Sequence, residues 1–97
     1  MTLPTFDQFR EAVLAEGFDE VLGREGAPGK LVDSHRHPWG VKALVVRGEM
    51  VLTVGESASH YKAGDQFALS RDTLHTEQYG SEGATFWVGR KNPPTAD

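Results

Sequence analysis

The sequence contains no cysteine, which excludes disulfide bonds and thiolate ligands and leaves histidine and carboxylate as the plausible metal ligands. It has no apolar run near the roughly 18 residues of a membrane span, and its N-terminus lacks the basic and then apolar pattern of a signal peptide. A basic cluster is also missing, and the formal net charge is −4. Because nucleic-acid binding needs a positive surface, the charge predicts that the protein does not bind nucleic acid. The missing apolar run and signal peptide predict a cytoplasmic protein that does not bind a membrane.

The chain has 97 residues, the size of one small domain. A chain this short buries only about 60 to 70% of the surface that its unfolded form exposes, which leaves a monomer marginally stable. The length therefore predicts a single domain, and it favours a homodimer whose interface buries additional apolar surface.

A short helix is predicted at the N-terminus. Thr5 and Gln8 have the spacing of a capping box, in which each side chain binds the backbone N–H of the other residue. Apolar residues then follow at helical spacing, and Gly17 stands where the helix would end. We expect this helix to cover an open end of a barrel or the seam of a dimer.

The rest of the chain consists of short β-type segments separated by turn signals. Strands are predicted at residues 18–22, 31–37, 41–47, 50–54, 60–62, 66–69, 74–79 and 84–90, with a loop at 23–29. Gly48-Glu49 is predicted to be a two-residue hairpin turn. The pattern predicts an all-β barrel over residues 18–91, on which the helix of residues 1–17 packs, and a frayed tail at 92–97.

Three histidines are the candidate metal ligands. His35 and His37 fall in one predicted strand, and alternate residues of a strand point to the same face with Cα atoms about 6 to 7 Å apart. His75 could complete the site from a neighbouring strand. Imidazole suits Zn, Cu, Fe and Ni, and three protein ligands leave positions open for water or substrate. The alternative is that three surface or core histidines happen to cluster.

The sequence around these histidines resembles the cupin family over about residues 30 to 90. His35-Arg36-His37, followed by Val41 and Gly48, is similar to the first cupin motif. The positions similar to the second motif are Gly64, Ser70, Asp72, His75 and Tyr79. The resemblance implies a double-stranded β-helix, or jelly-roll, barrel. It also implies a divalent transition metal (Fe, Mn, Ni or Zn) held by His35, His37 and His75, and a small-molecule ligand or substrate.

Three departures from the cupin motifs affect the predicted chemistry. Val41 stands where cupins usually carry a metal-binding glutamate, Ser70 and Asp72 replace a proline and a glycine, and Tyr79 replaces an asparagine. Three neutral imidazoles around a divalent ion keep a charge of about +2, which a carboxylate would reduce to about +1. The resemblance therefore implies a centre similar to the three-histidine sites of iron dioxygenases that act on thiols and diketones.

Glu77 and Tyr79 are the candidate catalytic residues. If His75 points inward, both share its face, because side chains of a strand alternate with a period of two. Glu77 could replace the missing ligand, orient a histidine or act as a general base. The alternative is a solvated carboxylate at the rim of the barrel.

Three further residues have a place in the predicted barrel. Lys42 is expected to reach the surface, with a substrate carboxylate as its alternative partner. Trp39 is a candidate wall of the pocket mouth, and His60 is expected to be an exposed histidine of a hairpin.

Three functions therefore stay open. The first is a metal-dependent dioxygenase or isomerase that acts on a small molecule. The second is a non-catalytic cupin that binds or senses a small ligand, and the third is a structural dimer with a vestigial site.

Overall fold

The computed structural model describes residues 3–92, and within them one helix precedes six strands. The elements are α1 Phe6–Ala15, β1 Glu20–Gly26, β2 Leu31–His35, β3 Gly40–Val54, β4 Ser57–Lys62, β5 Gln66–Leu69 and β6 His75–Lys91. The predicted all-β fold with a short N-terminal helix is confirmed. Of the predicted tail at 92–97, residues 93–97 lie outside the described part. No helix of residues 3–92 is long and apolar enough to cross a membrane.

The two long strands β3 and β6 form the centre of an antiparallel sheet. β1 and β2 pair with β6, while β4 and β5 pair with β3. The register between β3 and β6 shifts twice, between Val45 and Arg47 and between Gly48 and Met50. Such irregularities bend a strand, and the sheet is thereby divided into two halves that face each other.

The first half-sheet contains β1, β5, residues 40–47 of β3 and residues 84–91 of β6. The second half-sheet contains β2, β4, residues 49–54 of β3 and residues 75–80 of β6. The buried core between them draws on both halves and consists of Ala43, Val45, Met50, Leu52, Phe67, Tyr79, Ala84, Phe86 and Val88. Two packed layers around one apolar core are the arrangement that the all-β pattern predicts.

Four of the predicted strands are halves of two longer ones. Segments 41–47 and 50–54 belong to β3, and segments 74–79 and 84–90 belong to β6. The predicted hairpin at Gly48 is wrong: this residue has a φ of 74° and adjoins a register shift inside β3. A glycine with positive φ suits a bulge as well as a turn, and only the continued pairing with β6 distinguishes the two.

The loop predicted at residues 23–29 is wrong over its first part, because β1 continues to Gly26. Glycine and charge suggested an irregular segment, but they also suit a strand at the edge of a sheet, and β1 pairs only with β6. Gly26 has a packing role, since a Cβ atom there would lie 2.5 Å from the Tyr79 ring.

Helix α1 begins at the predicted capping box. The Thr5 hydroxyl accepts a hydrogen bond from the Gln8 backbone at 3.1 Å, and the Gln8 side chain accepts one from the Thr5 backbone at 2.9 Å. Its buried residues Phe9 and Val13 pack with Leu44 on the outer face of the first half-sheet. The helix therefore covers this outer face and not an open end of the barrel, because outward-pointing apolar residues of β3 need cover.

Replacing Gly48 with alanine should destabilise the fold more than the same change at Gly55. Both residues have positive φ, at 74° and 60°, so each variant incurs about 1 to 2 kcal/mol of backbone strain. Only the Gly48 variant also places a methyl group against the carbonyl oxygen of Gly83, whereas nothing lies within 4 Å at Gly55. We expect an additional loss of about 1 to 3 kcal/mol. Urea unfolding measures both, and equal losses would contradict the close approach of β3 to β6.

Candidate metal centre

The structure brings His35, His37 and His75 together. Each offers one ring nitrogen, and these atoms all lie within 4.8 Å of one another. His35 at the end of β2 pairs with His75 at the start of β6. His37 lies beyond β2, in the connection to β3, so the predicted single strand for the first two histidines is wrong. Its place is fixed instead by a backbone hydrogen bond of 2.7 Å from Asp72 N–H to the His37 carbonyl oxygen.

Backbone carbonyl groups orient two of the three rings. The Nδ1 atom of His35 lies 2.7 Å from the Asp33 oxygen, and the Nδ1 atom of His75 lies 2.8 Å from the Thr73 oxygen. In each pair Nδ1–H is the donor, since a carbonyl oxygen can only accept. The tautomer with the proton on Nδ1 leaves the lone pair of Nε2 free for a metal ion.

The Glu77 carboxylate lies close to both of these Nε2 atoms. Its Oε2 atom is 3.3 Å from His35 Nε2 and 3.8 Å from His75 Nε2. Its Oε1 atom accepts a hydrogen bond of 3.2 Å from the Tyr79 hydroxyl. The Glu77 side chain is only 13% exposed. Glu77 therefore lies against two histidines of the cluster and is not a solvated residue of the rim.

The donor set fits a divalent transition metal. Three imidazole nitrogens and one carboxylate oxygen suit Fe, Mn, Ni and Zn. Two nitrogens bound to the same ion at about 2.1 Å lie at most about 4.2 Å apart. The cluster, whose nitrogens lie within 4.8 Å, needs only a small inward movement to meet that limit.

Burial and charge set the protonation of two site residues. Burial lowers the pKa of His37, and His35, His75, Arg90 and Arg24 lower it further by charge repulsion. The His37 imidazole is therefore neutral at neutral pH, which is the form that can bind a metal ion. Burial also raises the pKa of Tyr79, as do the charge of Glu77 and the hydrogen bond to it. The Tyr79 phenol consequently keeps its proton and acts as a donor.

A stack of rings forms one wall of the site. The Trp39 ring lies parallel to the His37 ring at 8°, with their centroids 4.9 Å apart. The guanidinium carbon of Arg90 lies over the same Trp39 ring, 4.5 Å from its centroid. Trp39 thus lines the cavity, and the stack brings a positive charge close to the histidines.

The histidine cluster opens into a cavity of about 280 Å³ between the half-sheets. Its walls are Arg24, Val32, Trp39, Val41, Leu52, Phe67, Leu69, Tyr79, Phe86, Val88 and Arg90, together with the histidines and Glu77. Val41 contributes only apolar surface. The sequence analysis missed Arg24 and Arg90 as residues of the cavity. Strand alternation with Phe86 and Val88 was a signal that could have placed Arg90 inward. Arg24 had no such signal, because it lies in the segment predicted to be a loop.

Two candidate residues lie outside the site. The Lys42 ammonium is 2.8 Å from Oε1 of Glu16, which follows α1 on the outer face of the first half-sheet. Lys42 therefore does not reach a substrate in the cavity, and the preferred surface position is confirmed. His60 is exposed and lies 3.4 Å from Glu49, also as expected.

Comparison with solved structures identifies the fold. The structure superposes on the cupin domain of Cnp3 from Schizosaccharomyces pombe with a TM-score of 0.69 over 76% of the chain, at 13% sequence identity. The chain has the cupin fold. It spans 52% of the length of that domain. No protein-family model matches the sequence, and the search of curated proteins found no match.

Two further cupin-fold structures are similar to this chain. Oxalate decarboxylase of Bacillus subtilis matches 78% of the chain with a TM-score of 0.69 and 18% identity, and the chain spans 22% of that protein. The cupin_2 domain of an XRE family transcriptional regulator from Enterobacter cloacae matches 77% of the chain with a TM-score of 0.65 and 17% identity, and 82% of that domain is covered. At these identities the likeness concerns the fold.

Proposed function

We propose that this cupin-fold chain holds a divalent transition metal (Fe, Mn, Ni or Zn) with His35, His37, His75 and Glu77, beside a cavity for a small molecule. The observation that carries the proposal is the placement of Glu77 Oε2 against two Nε2 atoms. With their protons on Nδ1, both Nε2 atoms are acceptors, and an ionised carboxylate is also an acceptor only. The lone pairs of these two nitrogens and of the carboxylate oxygen repel one another. A cation bound by all three atoms would remove this repulsion.

A proton on Nε2 is the alternative to a metal ion, and the distances argue against it. Charge-assisted hydrogen bonds between nitrogen and a carboxylate are about 2.7 to 2.9 Å long. The two distances to Glu77 are 3.3 Å and 3.8 Å. Two atoms that bind one ion at about 2.1 Å lie at most about 4.2 Å apart, so both distances are compatible with a shared ion. The carboxylate from β6 then supplies the negative charge that Val41 does not, and it lowers the charge of the centre from about +2 to about +1.

The surrounding residues support chemistry on a small molecule. A metal ion in this position supplies Lewis acidity toward a substrate oxygen. The Tyr79 hydroxyl orients Glu77 and holds a proton at the cavity wall. Apolar walls on the first half-sheet exclude water. The function that these groups favour is that of a metal-dependent dioxygenase or isomerase.

Metal analysis tests this proposal directly. Protein purified without a chelating resin should contain close to one equivalent of metal, or should take up one equivalent of Fe, Mn, Ni or Zn on titration. The His60→Ala variant is the matched control, because His60 is exposed and lies outside the cluster, and its metal content should equal that of the parent. Failure of all four metals to bind stoichiometrically would overturn the proposal.

The second candidate function is non-catalytic binding of a small ligand. It is favoured by the similarity to the cupin_2 domain of a transcriptional regulator, of which this chain covers 82%. Ligand binding without turnover in the metal-loaded protein distinguishes it from the enzyme. A homodimer and a cytoplasmic location stay predictions for either function.

A further inference from the structure

Two arginines share the cavity with the histidine cluster. Arg24 on β1 is paired in register with Phe86 on β6, and opposite residues of antiparallel strands point to the same face. Arg90 follows Phe86 at an even spacing along β6. Both guanidinium groups line the cavity, and both contribute to the lowered pKa of His37. The cavity therefore contains positive charge besides that of any metal ion.

Arg90 already has partners, whereas Arg24 is available to a ligand. One Arg90 nitrogen lies 3.3 Å from a Glu20 oxygen, and the same guanidinium stacks on Trp39. Among residues 3–92, no ion pair or hydrogen bond involves the Arg24 side chain. Its charge also acts on the Tyr79 phenol, which is in contact with Glu77. Within residues 3–92, Arg24 is thus an exposed arginine of the cavity wall whose side chain has no partner.

The charge and size of the cavity restrict the ligand. Among the residues that line it, Glu77 is the one carboxylate and Arg24 and Arg90 are the two cations, while the histidines are neutral. A site with this balance concentrates anions even though the whole chain has a net charge of −4. A volume of about 280 Å³ corresponds to roughly nine water molecules at about 30 Å³ each. The ligand is therefore small, and the apolar walls suit a short carbon skeleton.

We infer that the ligand or substrate of this cavity is a small organic acid whose carboxylate pairs with Arg24 while an oxygen at its other end faces the histidine cluster. The planar guanidinium matches a carboxylate through two parallel hydrogen bonds. Arg90, held by Glu20 and Trp39, adds a second positive charge to the wall. The inference rests on the proposed function, since it assigns the cluster end of the ligand to a metal ion.

A pair of probe ligands isolates the Arg24 contact. Malonate has a carboxylate at each end, whereas malonamate replaces one carboxylate by a neutral amide of similar shape. Calorimetric titration of the zinc-loaded parent should show malonate binding at least about tenfold more tightly than malonamate. In the Arg24→Gln variant this ratio should be clearly smaller, because only Arg90 and the metal ion still favour the second carboxylate, and Arg24→Lys should keep more of it. Because the two affinities are compared within each variant, any effect of the substitution that is common to both ligands cancels in their ratio.

Arg10→Gln is the matched control, because Arg10 is an exposed arginine of α1 outside the cavity. It should leave the ratio of the two affinities unchanged. A ratio that is the same in the parent and in Arg24→Gln would overturn the inference. Zinc content is measured for every variant, so that loss of metal counts against the proposed function and not against the Arg24 contact. If the parent binds no zinc, the same titrations on the metal-free protein measure the ratio.

Discussion

Replacing His75 with alanine should abolish tight metal binding and leave the barrel folded. His75 is 5% exposed, and its Nε2 atom is one of the three nitrogens proposed as ligands. Its removal should reduce affinity by more than the roughly 10- to 100-fold typical of losing a residue that only orients a ligand. The core cluster does not include His75. We therefore expect a stability loss of only about 1 kcal/mol, from the hydrogen bond to the Thr73 oxygen.

The same result is expected for His35→Ala and His37→Ala, because each removes one of the three clustered nitrogens. Elemental analysis and metal titration measure the loss, and circular dichroism with thermal unfolding checks the fold. Retention of full metal content in all three single variants would eliminate the histidine centre. His60→Ala again controls for the loss of an imidazole elsewhere on the surface.

Glu77→Gln should weaken metal binding by at least about 10- to 100-fold. The change keeps the shape of the side chain but removes its negative charge. The Oε2 atom that carries this charge lies 3.3 Å and 3.8 Å from the two histidine nitrogens. The metal-free protein should respond differently. Because an amide can donate to an imidazole nitrogen, the substitution relieves the contact between acceptors, and metal-free stability should be unchanged or higher.

Two variants sharpen the test of Glu77. Glu49→Gln removes an exposed carboxylate near His60, and its metal affinity should equal that of the parent. Tyr79→Phe removes the donor to Glu77 Oε1 and should weaken metal binding less than Glu77→Gln does. A titration that cannot separate Glu77→Gln from the parent would leave a centre of three histidines and solvent.

Local spacing and the family resemblance were sufficient for the fold and the histidine cluster. Alternation placed Glu77 and Tyr79 on the face of His75, and in the structure Tyr79 and His75 both approach Glu77. These predictions succeed because the i, i+2 rule acts within one strand. They need no knowledge of which strands are neighbours.

Features that depend on distant pairing could not be predicted in this way. Whether Gly48 reverses the chain or bends it is determined by the continued pairing of β3 with β6. His37 reaches the cluster through a loop held by Asp72, which no strand pattern describes. The role of Arg24 requires that β1 extend along β6, and the local composition of that segment favours a loop.

The two half-sheets also carry different parts of the candidate site. The second half-sheet and the loop after β2 carry the proposed metal ligands, whereas most of the remaining cavity wall, including Arg24, Val41, Phe67 and Arg90, belongs to the first half-sheet. We therefore expect that substitutions in the first half-sheet can change ligand choice while the proposed metal centre is preserved. For protein engineering, the first half-sheet is accordingly the place for libraries that seek new substrates, with residues 75–80 of β6 held constant.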